Sequence, residues 1–253
     1  MKISSLIFII FCSSFSLNIF ASTHSQTDKK ISNLYSADQA IVFDWDDTLI
    51  PSSFLEASGN GSLDKQDLRR ILQLEPTEWK KLDHFVSKFL TQLGKNADLY
   101  IVSNAKLSWI KTSSSILMPL TNGVLAEIEQ KKKLISAREF FFSGILKPNQ
   151  KEIFETLPDW KSLTFALVLG TYKNIISLGD SDYERRALHA MPNPENKMVK
   201  KNIKFLESPD MELLLEQLTF IKSQWNTFAQ SNEDVDLYIS EGIDALLEYE
   251  KKP

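Results

Sequence analysis

Thiols are almost missing from this chain: its one cysteine, Cys12, lies in an apolar leader. If that leader is removed, the mature chain has no disulfide, no thiolate metal site and no cysteine nucleophile. Histidine is nearly as scarce. His24, His84 and His189 are too scattered to make a zinc site. Positive charge is never concentrated, because the net charge is −4 and the run Lys131–Lys133 stands alone. Nucleic acid is therefore not an expected partner, since phosphate-backbone binding needs clustered Lys and Arg. Long apolar runs are absent after residue 21. The stretch Leu6–Phe20 is broken by Ser13, Ser14, Ser16 and Asn18, which leaves it short of a span of about 20 apolar residues.

What is present at the start is one basic residue, Lys2, then the apolar stretch, then "NIFAS". That is the layout of a signal peptide. Residues 1–21 are expected to direct export to a periplasmic or secreted location, with cleavage after Ala21 and no membrane span left afterwards. A polar tether follows over 22–36. The full sequence is 43% hydrophobic and 25% charged, which suits one globular domain, here over 37–231. Residues 232–253 read as an acidic, helical extension packed on that domain.

Within the domain, short apolar runs alternate with helical patterns. "AIVFD" (40–44), "LYIVS" (99–103) and "NIISLGD" (174–180) predict buried strands, and "KLISA" (133–137) and "NIKFL" (202–206) weaker ones. Trp79, Leu82, Phe85, Val86, Phe89, Leu90 and Leu93 recur at helical spacing before Gly94. Helices are also predicted over 149–157, 160–169, 182–190 and 209–229. "EASGNGSLD" (56–64) reads as a loop, and the insert 51–76 is too small for a domain. The alternation predicts an α/β fold: a Rossmann-like, three-layer α/β/α domain with a central parallel sheet and a minimal cap. Ligands in such sheets bind beyond the carboxyl ends of the strands, so Asp44, Ser103 and Asp180 should share one edge.

The stretch "IVFDWDDTLIPS" (41–52) is the most telling. Asp44, Asp46 and Asp47 crowd charge where an apolar strand leaves the core. Desolvation and mutual repulsion both disfavour that arrangement. A divalent cation makes it tolerable, and hard oxygen ligands are what Mg²⁺ prefers.

"FDWDDTL" (43–49), "YIVSNA" (100–105) and "SLGDSDYE" (177–184), each after an apolar strand and in this order, resemble the motifs of the haloacid dehalogenase-like phosphotransferases. A plant- and protist-type branch of that superfamily is similar through "FDWDDTLIPS", "SNAK-x-x-W" (103–109), "ISARE" (135–139) and "GDSDYE". The resemblance implies a Mg²⁺-dependent phosphatase. Asp44 would be the nucleophile that takes the phosphoryl group, and a metal ligand. Asp46 would be the general acid and base, with its main-chain carbonyl on the metal. Ser103 would donate to a phosphoryl oxygen with the N–H groups of Asn104 and Ala105 nearby, or cap the following helix. Thr48 would support the loop or touch phosphate, and Asp47 would cap a turn or take part in catalysis. Asp180 would be the distal metal ligand, followed by Asp182 and then Glu184.

The superfamily also uses a lysine, for which Lys147 and Lys161 compete. The helix from Trp160 leads into the strand at 174, so it must begin at the carboxyl edge, which favours Lys161. The expected partner is a phosphorylated substrate, a macromolecule if the cap is as small as the insert. Two other readings stay open: a non-catalytic binding module on the same fold, and a phosphotransferase to an acceptor other than water.

Overall fold

The protein, described from a computed structural model over residues 38–59, 63–142, 159–193 and 197–239, has six strands in one sheet. They are β1 (Gln39–Phe43), β2 (Asp98–Ser103), β3 (Leu134–Ser136), β4 (Asn174–Gly179), β5 (Val199–Lys204) and β6 (Val235–Tyr238). Every pairing is parallel, in the order β3-β2-β1-β4-β5-β6. All five residues of β1 are buried, as expected for a central strand covered on both faces.

Side-chain alternation divides the core in two. Ile41 and Phe43 of β1 face one cluster, while Ala40 and Val42 face the other. Over the first face lie α1 (Ser52–Ser58), α2 (Lys65–Leu74), α3 (Pro76–Leu93), α4 (Leu107–Leu117), α5 (Pro119–Gln130) and, later in the chain, α9 (Met211–Gln230). The second face is covered by α6 (Ala137–Phe142), α7 (Trp160–Leu169) and α8 (Asp182–Ala190). These are the three layers expected. Helix α3 carries the apolar stripe read from the sequence, with Phe89 stacked edge-on against Phe43 and Trp225. Its buried Asp83 accepts from the main-chain N–H groups of Leu120 (2.9 Å) and Thr121 (2.7 Å), capping α5 from another helix.

Three expectations are corrected. The loop read over 56–64 is shorter at its start, because α1 runs to Ser58, and at its end Asp64 caps α2 through a reciprocal pair with Asp67. The fifth strand runs over 199–204 rather than 202–206, because Lys200 and Lys201 are buried inside it. Lys200 Nζ donates to the carbonyls of His189 (3.1 Å) and Met191 (2.6 Å), where α8 ends. Lys201 Nζ donates to Ala229 near the end of α9 (3.1 Å). Each ammonium thus meets the carbonyl-rich, partly negative end of a helix.

The sheet also continues into the segment expected to be a helical extension. Leu237 of β6 joins the first core, while Asp236 points the other way to Arg185 (2.7 Å), His189 (3.2 Å) and Asn202 (2.9 Å). The leader, the tether, the helix predicted over 149–157, Lys147 and the chain after residue 239 lie outside the described residues. Among the described residues, no helix is long and apolar enough to cross a membrane.

Candidate functional site

Strands β1 and β4 are neighbours, with Phe43 beside Leu178. The main-chain N–H of Asp44 donates to Leu178 O (2.9 Å), so Asp44 and Asp180 leave the sheet side by side. Connections from β1 and β4 run outward in opposite directions, and the crevice at such a switch point is where open parallel sheets place ligands. Ser103 closes β2 on the other side of β1. The edge foreseen from three separate strand ends is therefore one place.

Asp44, Asp180 and Glu184 offer oxygens that all lie within 4.8 Å of one another. Lys161, only 1% exposed, reaches into this group. Its Nζ lies 3.2 Å from Asp44 Oδ2 and also pairs with Glu184 Oε1. Lys161 stands in the first turn of α7, whose N-cap Asp159 accepts from Ser162 N (2.8 Å). The start of α7 thus lies at the carboxyl edge and brings Lys161 to Asp44 and Glu184.

Glu184, rather than Asp182, completes the acidic group. Asp182 is exposed on the first turn of α8. Glu184 is the third helical residue and folds back, accepting from Ser181 N (3.1 Å) and Ser181 Oγ (2.6 Å). The pattern Ser-x-x-Glu over 181–184 is a capping box, a signal in the sequence that would have put Glu184 ahead. Close approach also requires glycine at 179. A Cβ there would lie 2.5 Å from both Glu184 Cδ and Oε2.

The remaining candidates divide clearly. Asp46 is not among the clustered carboxylates, and its Oδ1 accepts from Trp109 Nε1 (2.8 Å). Asp47 adopts a left-handed backbone (φ 51), a conformation that Asp tolerates better than most residues. Its Oδ1 accepts from Ser53 N (2.9 Å) and Ser52 Oγ (3.2 Å). Asp47 therefore braces the turn into α1. Thr48 is completely buried, which suits loop support. Ser103 Oγ accepts from Ala105 N (3.1 Å), so that N–H is already engaged while the serine's own hydrogen remains to donate. The start of α4 is partly taken as well, because Leu107 N donates to Glu139 Oε2 (3.3 Å). Asn104 is half-buried, with its Oδ1 lacking a donor.

Charge counting defines what the group lacks. Three carboxylates face one ammonium. Burial pushes Asp44 up to about 8; Lys161 opposes that shift, and Glu184 and Asp46 reinforce it. Burial, then Glu184 and Asp47, push Asp180 up to about 7. Burial also raises Asp46, against the hydrogen bond from Trp109. Burial opposes ionisation of Glu184, but the Lys161 charge and hydrogen bond hold its pKa below the ordinary range. Lys161 itself is raised: burial alone would lower it, and Asp44 and Glu184 overcome that effect. The lysine thus satisfies Glu184; ionising both Asp44 and Asp180 as well would leave two negative charges uncompensated, which is why burial holds protons on them.

A divalent cation fits that deficit. Among the described residues, Asp44 Oδ1 is buried with no hydrogen-bond donor, and an all-oxygen set suits a hard ion. Asp44 and Asp180 would be its open ligands. Both oxygens of Glu184 are already engaged.

Metal binding should depend on pH in a defined direction. The folded protein holds protons on Asp44 and Asp180 up to about 8 and 7, whereas the unfolded chain releases them near 3.8. Without metal, stability from these two groups is full below that lower value and is lost as pH rises through 7 to 8. A cation must displace the same protons, so its affinity rises over the same window. Thermal unfolding with excess Mg²⁺ and with EDTA should differ little at about pH 5.5 and by several degrees at about pH 9. A gap that is equal at both pH values would contradict this.

No family model, no curated protein and no solved structure matches this chain.

Proposed function

We propose that the protein is a phosphomonoester hydrolase of the haloacid dehalogenase-like kind, dependent on a divalent cation that we assign as Mg²⁺. One observation carries this reading: Asp44 and Asp180, 136 positions apart in the sequence, end adjacent strands around a buried lysine and a donorless carboxylate oxygen. Residues that attack a phosphate dianion need a carboxylate kept ionised and a cationic setting that offsets repulsion.

In this reading Asp44 attacks phosphorus, and the bond to the leaving oxygen breaks. Asp46 gives that oxygen a proton. Water then attacks the aspartyl-phosphate, Asp46 takes the water's proton, and inorganic phosphate departs with Asp44 restored. Lys161 holds Asp44 in place and adds positive charge near the transferring group. Ser103 orients a phosphoryl oxygen through its hydroxyl. A bound Mg²⁺, held by Asp44, Asp180 and the main-chain carbonyl of Asp46, would supply charge neutralisation.

The insert after β1 is short, with two helices whose buried apolar residues belong to the core, which favours a minimal cap and a bulky phosphorylated substrate. The leader over 1–21 favours an exported protein. Turnover of p-nitrophenyl phosphate by the purified protein, present with Mg²⁺ and absent with EDTA, is the direct test. Binding of Mg²⁺ without turnover on a broad phosphoester panel would favour the non-catalytic module instead.

A further inference from the structure

Two tryptophans tie the acidic loop to helix α4. Trp45, between the two functional aspartates, is completely buried. Its Nε1 donates to Ser113 Oγ (3.2 Å), and that hydroxyl in turn donates to Trp109 O (2.8 Å). From the same turn of α4, Trp109 Nε1 donates to Asp46 Oδ1 (2.8 Å). The loop is therefore held at two successive residues by one helix, once through a side chain and once through the functional carboxylate itself.

An indole N–H is a donor only. The Asp46 oxygen that it meets is therefore an acceptor, and because a carbonyl-type oxygen accepts better than a hydroxyl oxygen, the bond favours Oδ2 for a proton carried by this carboxyl. The bond also limits rotation of the carboxylate, which matters because proton transfer requires hydrogen-bond reach and alignment. We propose that Trp109 is a positioning residue for Asp46, fixing its rotation and reserving Oδ2 for proton exchange with the leaving oxygen. This rests on the reading of Asp46 as acid and base given above. It adds a residue whose role is set by a single N–H rather than by ring volume.

The consequence is selective for the leaving group. A p-nitrophenolate departs without a proton, whereas an alkoxide needs one. Steady-state kcat/KM covers steps up to the first irreversible departure and so excludes hydrolysis of the aspartyl-phosphate. The experiment compares wild-type protein with Trp109→Phe, both saturated with Mg²⁺, on p-nitrophenyl phosphate and on glycerol phosphate. The variant should lose on the order of 10²-fold in kcat/KM on glycerol phosphate. Its loss on p-nitrophenyl phosphate should be smaller by roughly tenfold or more.

Equal losses on both substrates would reduce Trp109 to a packing residue and overturn the proposal, as would no loss on the alkyl ester. If wild-type protein turns over neither substrate, the hydrolase reading fails and this one falls with it. Turnover by wild type with equal losses in the variant leaves the hydrolase reading intact. Should Trp109→Phe fail to fold, benzothienylalanine at position 109 keeps both rings and removes only the donor, and the same ratio decides.

Discussion

Replacing Asp44 with asparagine should lower Mg²⁺-dependent hydrolysis of p-nitrophenyl phosphate by on the order of 10⁴-fold or more, the scale of losing a covalent nucleophile. Asparagine keeps the shape of the side chain, so the loss would reflect chemistry. The fold should survive, and for a specific reason. Asp44 is a buried acid pushed up to about 8, first by burial, so its neutral replacement removes a repulsive charge next to Glu184. In EDTA at pH 9 the variant should therefore melt no lower than wild type, while Mg²⁺ should stabilise it less. Kinetics and melting together separate a lost nucleophile from a damaged protein. An Asp44→Asn protein with wild-type turnover would end the proposed mechanism. Asp46→Asn should retain more activity, falling by about 10²–10⁴-fold, as expected for loss of an acid–base group.

Replacing Lys161 with methionine should have the largest effect on stability. Its ammonium is almost fully enclosed and pairs with two carboxylates that are themselves buried. Removing one partner of a buried ion pair costs about 3–5 kcal/mol, because the opposite charge is left without compensation. For a domain of this size that corresponds to a fall in Tm on the order of 10 °C. Two conditions should recover part of the loss. Mild acid would protonate Glu184, which is held ionised against burial by this lysine. Mg²⁺ would replace the missing positive charge at the open Asp44 and Asp180. Differential scanning calorimetry at about pH 5.5 and about pH 8, with and without Mg²⁺, measures both. Unchanged melting would mean that the lysine contributes nothing to the balance of charge at the strand ends.

Several features of the site were legible in the order of residues. A strand buried on both faces must be apolar throughout, so acids at 44 and 180 mark where each strand leaves the core. A helix that returns to a parallel strand must start at the carboxyl edge, which selected Lys161. Asp182 misled because spacing along the chain says little about direction at a helix start. The first residue of α8 faces solvent, while the third curls back to its own cap. Ser181 and Glu184 announced that cap, but only the folded helix shows that Glu184 also meets Lys161.

Other features depend on partners far away in sequence. "VKKNIK" looks like a polar surface segment, yet it forms a buried strand because the ends of α8 and α9 present carbonyls to Lys200 and Lys201. "VDLY" is too short to stand out, and it becomes a strand because β5 offers an edge and Arg185 neutralises Asp236. Nothing near Asp83 in the chain indicates that it caps α5.

By itself, then, the sequence determined the alternating α/β layers and the edge where the acids gather, because burial and periodicity are local properties of the chain. Which acid joins the group, which lysine charges are buried and which indole meets Asp46 were decided only by tertiary structure. Hydrogen bonds and ion pairs act over a few ångströms in space, and it is the fold that sets which residues those are.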